Sequence, residues 1–83
     1  VGINEHNAIA NLNIYPNPAK TILTIDSDEK IESVNIISIE GKTVKFIDKF
    51  NGKINVSTLE NGIYFLKIYF GKDYSAIKKV IIN

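Results

Sequence analysis

Apolar residues recur at every second position in short runs along this chain: Leu23 and Ile25, Val34 and Ile36, Val44 and Phe46, Ile54 and Val56. Side chains on an extended backbone point alternately to opposite faces, so this spacing predicts strands with one buried and one solvated face. Between the runs stand residues suited to reversing a chain: Pro16-Asn17-Pro18, Glu40-Gly41-Lys42, Asn51-Gly52, Asn61-Gly62 and Gly71-Lys72-Asp73. Each supplies a fixed or positive φ where a turn needs one. The pattern predicts strands over residues 12–15, 20–26, 31–39, 43–50, 53–56, 62–70 and 74–82. Short strands with turns about every eight to twelve residues predict an all-β antiparallel sandwich. Asn51-Gly52 is the strongest hairpin signal, with both central residues expected at positive φ. Residues 57–60 read as a single helical turn or crossover that carries Leu59 into the core.

Alternation also sorts the side chains. The inward set is Ile14, Leu23, Ile25, Val34, Ile36, Val44, Ile54, Val56, Leu59, Tyr64, Leu66, Ile68, Val80 and Ile82, with Lys67 setting the phase of its strand. Ile22, Ile37, Ile39, Ile63, Phe65 and Ile81 then fall on the outward phase. That is more apolar content than one inward face of each strand can hold; loops or the leader can cover part of it, and the rest is expected to form an exposed patch of the kind that marks interaction sites. The last predicted strand runs into the terminus at Asn83, so the end of the chain is expected to be tied into the sheet rather than frayed.

Composition agrees: sixteen isoleucines and five valines stand beside four tyrosines and four phenylalanines, a strand-forming mixture. At 83 residues one domain is expected, at a stability of roughly 4 to 12 kcal/mol. The chain opens on Val1, which is expected of a fragment or processed product. Residues 1–11 read as a linker or leader that can contain a processing site, and residues 12–83 as the folded domain. Without cysteine, neither a disulfide framework nor a thiolate metal site can support the fold. Ten lysines against nine acids leave a net charge of +1, which argues against nucleic acid or an anionic membrane as the main partner. No apolar run approaches the roughly 20 residues of a transmembrane helix.

Catalytic chemistry finds little footing. His6 is the one histidine and lies in the leader, so a Ser-His-acid triad or multi-histidine metal site lacks members. Asp26, Asp28 and Glu29 read as a solvated turn, without the spacing, the turn glycine or the closing glutamate of a calcium loop. The glycines are single and fall at turns, unlike a phosphate-binding loop. No catalytic residue, metal site or cofactor is expected. Tyr64, Phe65, Tyr69, Phe70 and Tyr74 read as sheet packing, with a sugar-stacking platform as the competing role. Lys78 and Lys79 read as the lysines that keep an edge strand from pairing with other chains, with anionic-glycan binding as the competitor.

The order of motifs resembles the C-terminal sorting domains of proteins exported by the type IX secretion system of Bacteroidetes. The resemblance runs from about Asn13 to Asn83 and is carried by five blocks. These are Ile14-Tyr15-Pro16-Asn17-Pro18-Ala19 with Leu23-Thr24-Ile25; Val34-Asn35-Ile36 leading into Glu40-Gly41-Lys42-Thr43-Val44; Ile54-Asn55-Val56-Ser57-Thr58-Leu59; Asn61-Gly62-Ile63-Tyr64-Phe65-Leu66-Lys67-Ile68; and Lys78-Lys79-Val80-Ile81-Ile82. One departure is Ile37-Ser38-Ile39, where an acidic or polar residue usually follows the middle apolar pair. The resemblance implies a seven-stranded immunoglobulin-like sandwich without catalytic activity that serves as an export signal. It implies an N-terminal passenger that passes through the periplasm and the type IX outer-membrane translocon. A sortase and outer-membrane shuttle components then deal with the tail, leaving the product at the cell surface or secreted. Carried over residue by residue, recognition falls to Pro16, Asn17, Pro18, Gly41, Lys42, Gly62, Tyr64, Lys79, Val80, Ile81, Ile82 and Asn83.

Two other functions compete at this level: a carbohydrate-binding or adhesive module using aromatics such as Tyr69 or Tyr74, and a structural spacer beside a catalytic domain. Exposed apolar strands can also support a dimer of the isolated domain.

Overall fold

The computed structural model describes residues 12–70 and 74–83. The leader with His6, its boundary with the domain, and the Gly71-Lys72-Asp73 turn lie outside the described residues. Those described form seven strands: β1 (Asn13–Tyr15), β2 (Ile22–Asp26), β3 (Ser33–Ser38), β4 (Thr43–Ile47), β5 (Lys53–Asn55), β6 (Gly62–Tyr69) and β7 (Ser75–Ile82). β1, β2 and β5 make one sheet in the order β1-β2-β5, and the other runs β4-β3-β6-β7. Within each sheet the neighbouring strands are antiparallel. The fourth strand thus joins the sheet of the third, whereas constant-type immunoglobulin domains place it on the opposite sheet.

The core lies between the two layers. Leu23, Ile25, Ile54 and Val56 come from the three-stranded sheet, and Val34, Ile36, Tyr64, Leu66, Ile68, Val80 and Ile82 from the other. Among the described residues no polar or charged residue is buried, so hydrophobic burial and strand pairing carry the fold. Ile14 and Leu59 are half-buried against this core, as the alternation predicts. Residues 57–60 form a turn in which the Leu59 N–H donates to the Val56 carbonyl at 3.0 Å. Ala19, Ile31, Phe70 and Ala76 are buried too, although they fall outside the predicted inward set.

Val44 departs from the prediction: it is 42% exposed. Ile36 pairs with Lys45 but Ile37 pairs with Thr43, so Val44 is the extra residue of a β-bulge on an edge strand. The register Val34↔Ile47 and Asn35↔Phe46 turns Ile47 toward the core and Phe46 to solvent. Consequently one inward-facing row reads Lys45, Ile36, Leu66, Lys78 across the whole sheet, with a lysine at each edge.

The Asn51-Gly52 hairpin is not formed. β4 and β5 belong to different sheets, and the segment between them crosses from one layer to the other. Gly52 has φ of 107°, but no non-glycine residue described has positive φ. The Asn51 side chain accepts the Lys53 N–H at 3.4 Å, and the Gly52 carbonyl accepts the Ile25 N–H at 3.0 Å. Pairing with β2, through Leu23↔Ile54, puts Ile54 into the core, and that burial outweighs the local preference for a two-residue turn.

The other turn glycine behaves as a turn requires. Gly41 has φ of 93°, a conformation that L side chains resist, inside a hairpin closed by the Ser38 N–H on the Lys42 carbonyl at 2.8 Å. The Gly41 N–H donates to the Ser38 carbonyl at 2.9 Å.

Candidate functional site

Pro16, Asn17 and Pro18 leave β1 at one end of the three-stranded sheet and lead the chain over to the free edge of β7. Proline has no N–H to leave unpaired, which suits a segment between two layers. Ala19 is fully buried and completes the crossing in a parallel bridge to Ile82. Its N–H donates to the Ile81 carbonyl at 2.9 Å, and its carbonyl accepts the Asn83 N–H at 2.9 Å. The Asn17 side-chain oxygen accepts the Ile81 N–H at 3.0 Å, joining residues 64 apart in sequence.

Removing that acceptor tests the clasp. Asn17→Ala leaves the Ile81 N–H to water at an exposed edge, so we expect a loss of about 1 kcal/mol, read as a lower urea midpoint. Native-state hydrogen exchange at the Ile81 amide should rise in parallel. An unchanged exchange rate would show that the bond contributes nothing.

From Ile82 the same end of the fold continues inward across the sheet. Gly62 pairs with Ile82, Ile63 with Ile81, and Tyr64 with Val80. Tyr64 pairs in turn with Ser38, where the Glu40-Gly41-Lys42 turn begins. The Tyr64 ring is buried while its hydroxyl donates to the Glu60 carbonyl at 2.7 Å, fastening residues 57–60 beside the turn. An open cleft of about 530 Å³ lies there, lined by Ile39, Lys42, Val44, Leu59, Glu60 and Ile63 among others. Tyr64→Phe keeps the packing and loses the anchor. The expected cost is about 1 kcal/mol, with increased hydrogen exchange confined to the segment around Leu59; a global loosening would refute the assignment.

Twelve residues singled out from the sequence are therefore brought to one end of the four-stranded sheet or to its edge. Pro16, Asn17, Pro18, Gly41, Lys42, Gly62, Lys79, Ile81 and Asn83 are exposed. Tyr64, Val80 and Ile82 point into the core, so their side chains hold the surface rather than form it. Ile39, Ile63 and the Glu60 carbonyl belong to the same end but stand outside that set. Their signal was present as outward-phase isoleucines for the first two; a backbone carbonyl leaves none.

The aromatic side chains are chiefly packed. Phe70 is buried and Tyr74 stacks on it at 5.7 Å between ring centroids. The Tyr74 phenol is raised above the ordinary tyrosine range, first by desolvation and then by the carboxylate of Glu29. Lys67 lies over the Tyr69 ring at 5.5 Å, a cation–π contact. Among the described residues no three His, Cys, Asp or Glu side chains converge as a metal site would need. No helix there is long and apolar enough to cross a membrane.

Residues 13–83 match the family described as "Secretion system C-terminal sorting domain". The chain is also 31% identical over 72 residues to Beta-agarase D of Zobellia galactanivorans. That similarity covers 87% of the chain but 15% of the relative's length.

Proposed function

The chain belongs to the family of type IX secretion C-terminal sorting domains, and from that membership we propose that it directs an upstream passenger through the outer-membrane translocon as a folded, non-catalytic signal. Membership implies export to the cell surface or release. Periplasmic transit, contact with shuttle components and removal by a sortase complete the proposed route. The match to a small part of a much longer relative supports a passenger joined to a sorting module.

One observation supports this reading above the others. Motif blocks scattered through the chain meet at one end of the four-stranded sheet, where the clasp of Asn17 and Ala19 on Ile81 and Asn83 adjoins Gly62 and the Gly41-Lys42 turn. A translocon component that reads a folded signal needs such a composite surface, because no short peptide carries it. Surfaces held by strand pairing lose little further conformational entropy on docking.

The test is a fusion of this chain to the C-terminus of a soluble reporter, expressed in a bacterium that possesses type IX machinery. The reporter should reach the outside of the cell, and the same reporter without the chain should stay beneath the outer membrane. Retention of the folded fusion would reject the reading.

A further inference from the structure

The outward face of the β4-β3-β6-β7 sheet carries a pattern that the export reading leaves unexplained. Its central strand positions are Phe46 on β4, Asn35 and Ile37 on β3, Ile63, Phe65, Lys67 and Tyr69 on β6, and Ile77, Lys79 and Ile81 on β7, with the hydroxyl residues Thr43, Ser33 and Ser75 at the strand ends. Phe46 is 55% and Ile77 60% exposed, and Ile63 and Ile81 are exposed beside each other as a cross-strand pair. No aspartate or glutamate occupies an outward position on these four strands.

The two lysines hold a particular relation. Lys67 pairs with Ile77 and Phe65 with Lys79, so the lysines sit on one diagonal of a four-residue block and the apolar side chains on the other. Diagonal neighbours in an antiparallel pair lie roughly 7 to 8 Å apart. That spacing is the backbone's: the Lys67 ammonium lies over the Tyr69 ring, on the side of its strand away from Phe65 and Lys79. Two separate cations thus stand on a largely apolar face, and a carboxylate brought to either is attracted while Phe65 and Ile77 exclude water beside it. Beside this block the Asn35 side-chain oxygen is out of contact with solvent and has no hydrogen-bond donor, so this part of the face is already partly dehydrated.

We propose that this sheet face docks a protein partner through an apolar surface bearing a carboxylate, which pairs with Lys67 or Lys79. The proposal rests on the export reading and names the chemistry of the surface that the machinery presents. A second copy of the chain is a poorer occupant, since its equivalent face brings two more lysines and no acid. A membrane is poorer as well. Lys67 is half-buried on an inner strand between Phe65 and Tyr69, so pressing the isoleucines into lipid would carry its ammonium down with them.

The experiment uses the reporter fusion in exporting cells. Carbodiimide treatment joins a lysine amine to a carboxylate in direct contact, and mass spectrometry locates the linked residues. The expected product links Lys67 or Lys79 to an aspartate or glutamate of a different polypeptide, with no such link at Lys53 on β5 of the other sheet. The double variant Lys67→Glu and Lys79→Glu should lose the link and cut export by about tenfold or more, since the introduced carboxylates repel the partner's. Lys67→Arg with Lys79→Arg should restore export, and thermal melts should show both variants folded. Links only to a second copy, no link at either lysine, or full export of the folded charge-reversed variant would each overturn the proposal. In those three outcomes wild-type export stands, whereas a retained wild-type fusion rejects the export reading itself.

Discussion

Deleting residues 79–83 should leave a chain that does not fold, with export of a fused passenger lost as a result. Val80 and Ile82 are 1% and 2% exposed, and each fully buried aliphatic side chain contributes roughly 1.5 to 3 kcal/mol. The deletion also removes the partners of Gly62, Ile63, Tyr64 and Phe65 on β6 and the anchor for Asn17 and Ala19. Together these losses approach the roughly 4 to 12 kcal/mol expected for a domain of this length. Far-ultraviolet circular dichroism and amide proton dispersion should show an unfolded chain. A truncated protein with native dispersion would contradict the structure, and only then would failed export report on recognition alone. Recognition is better tested at residues outside the core, and Lys67 and Lys79 on the outward face of the sheet serve for that.

Leu66→Ala should be the most damaging single truncation of a side chain. Leu66 is fully buried on β6, between Ile36 and Lys78 in its row, and β6 is an inner strand with neighbours on both sides. Buried Leu→Ala changes cost about 2 to 5 kcal/mol, as lost transfer energy plus the cavity left behind. For a domain of this size each kcal/mol lowers Tm by about 4 to 8 °C, so a fall of roughly 8 to 40 °C is expected. A drop of only a few degrees would mean that β3 and β7 collapse into the space. Leu66→Met, close in volume, should recover most of the loss.

The strands were legible because period-two alternation is a local property. β2, β3, β6 and β7 need no knowledge of partners to be seen, and the final strand is tied in as expected. Val44 shows where this fails. Its neighbours alternate correctly, but a bulge and an edge position are decided by the partner strand, and nothing within residues 43–47 reports the register Ile36↔Lys45. Asn51-Gly52 fails for the opposite reason: its local preference is strong, yet β5 gains more by pairing with β2 across the core. The candidate site falls between these cases. Its residues could be named from motif order, but their assembly depends on contacts such as Asn17 with Ile81, which only the folded sheet order brings about. Ala19 is the clearest example, a small residue at the end of the first motif block and outside the inward set that proves to be the hinge of the clasp.

The position of β1 bears on how cargo of any bulk can be attached. Asn13 pairs with Asp26, at the end of the sandwich opposite Ile82 and the Gly41 turn, and β1 is an outer strand of the three-stranded layer. The start of β1 therefore lies at the other end of the strands from the clasp and the Gly41 turn. On the export reading, that separation between the point of attachment and the clasp lets one tag serve loads of very different shape.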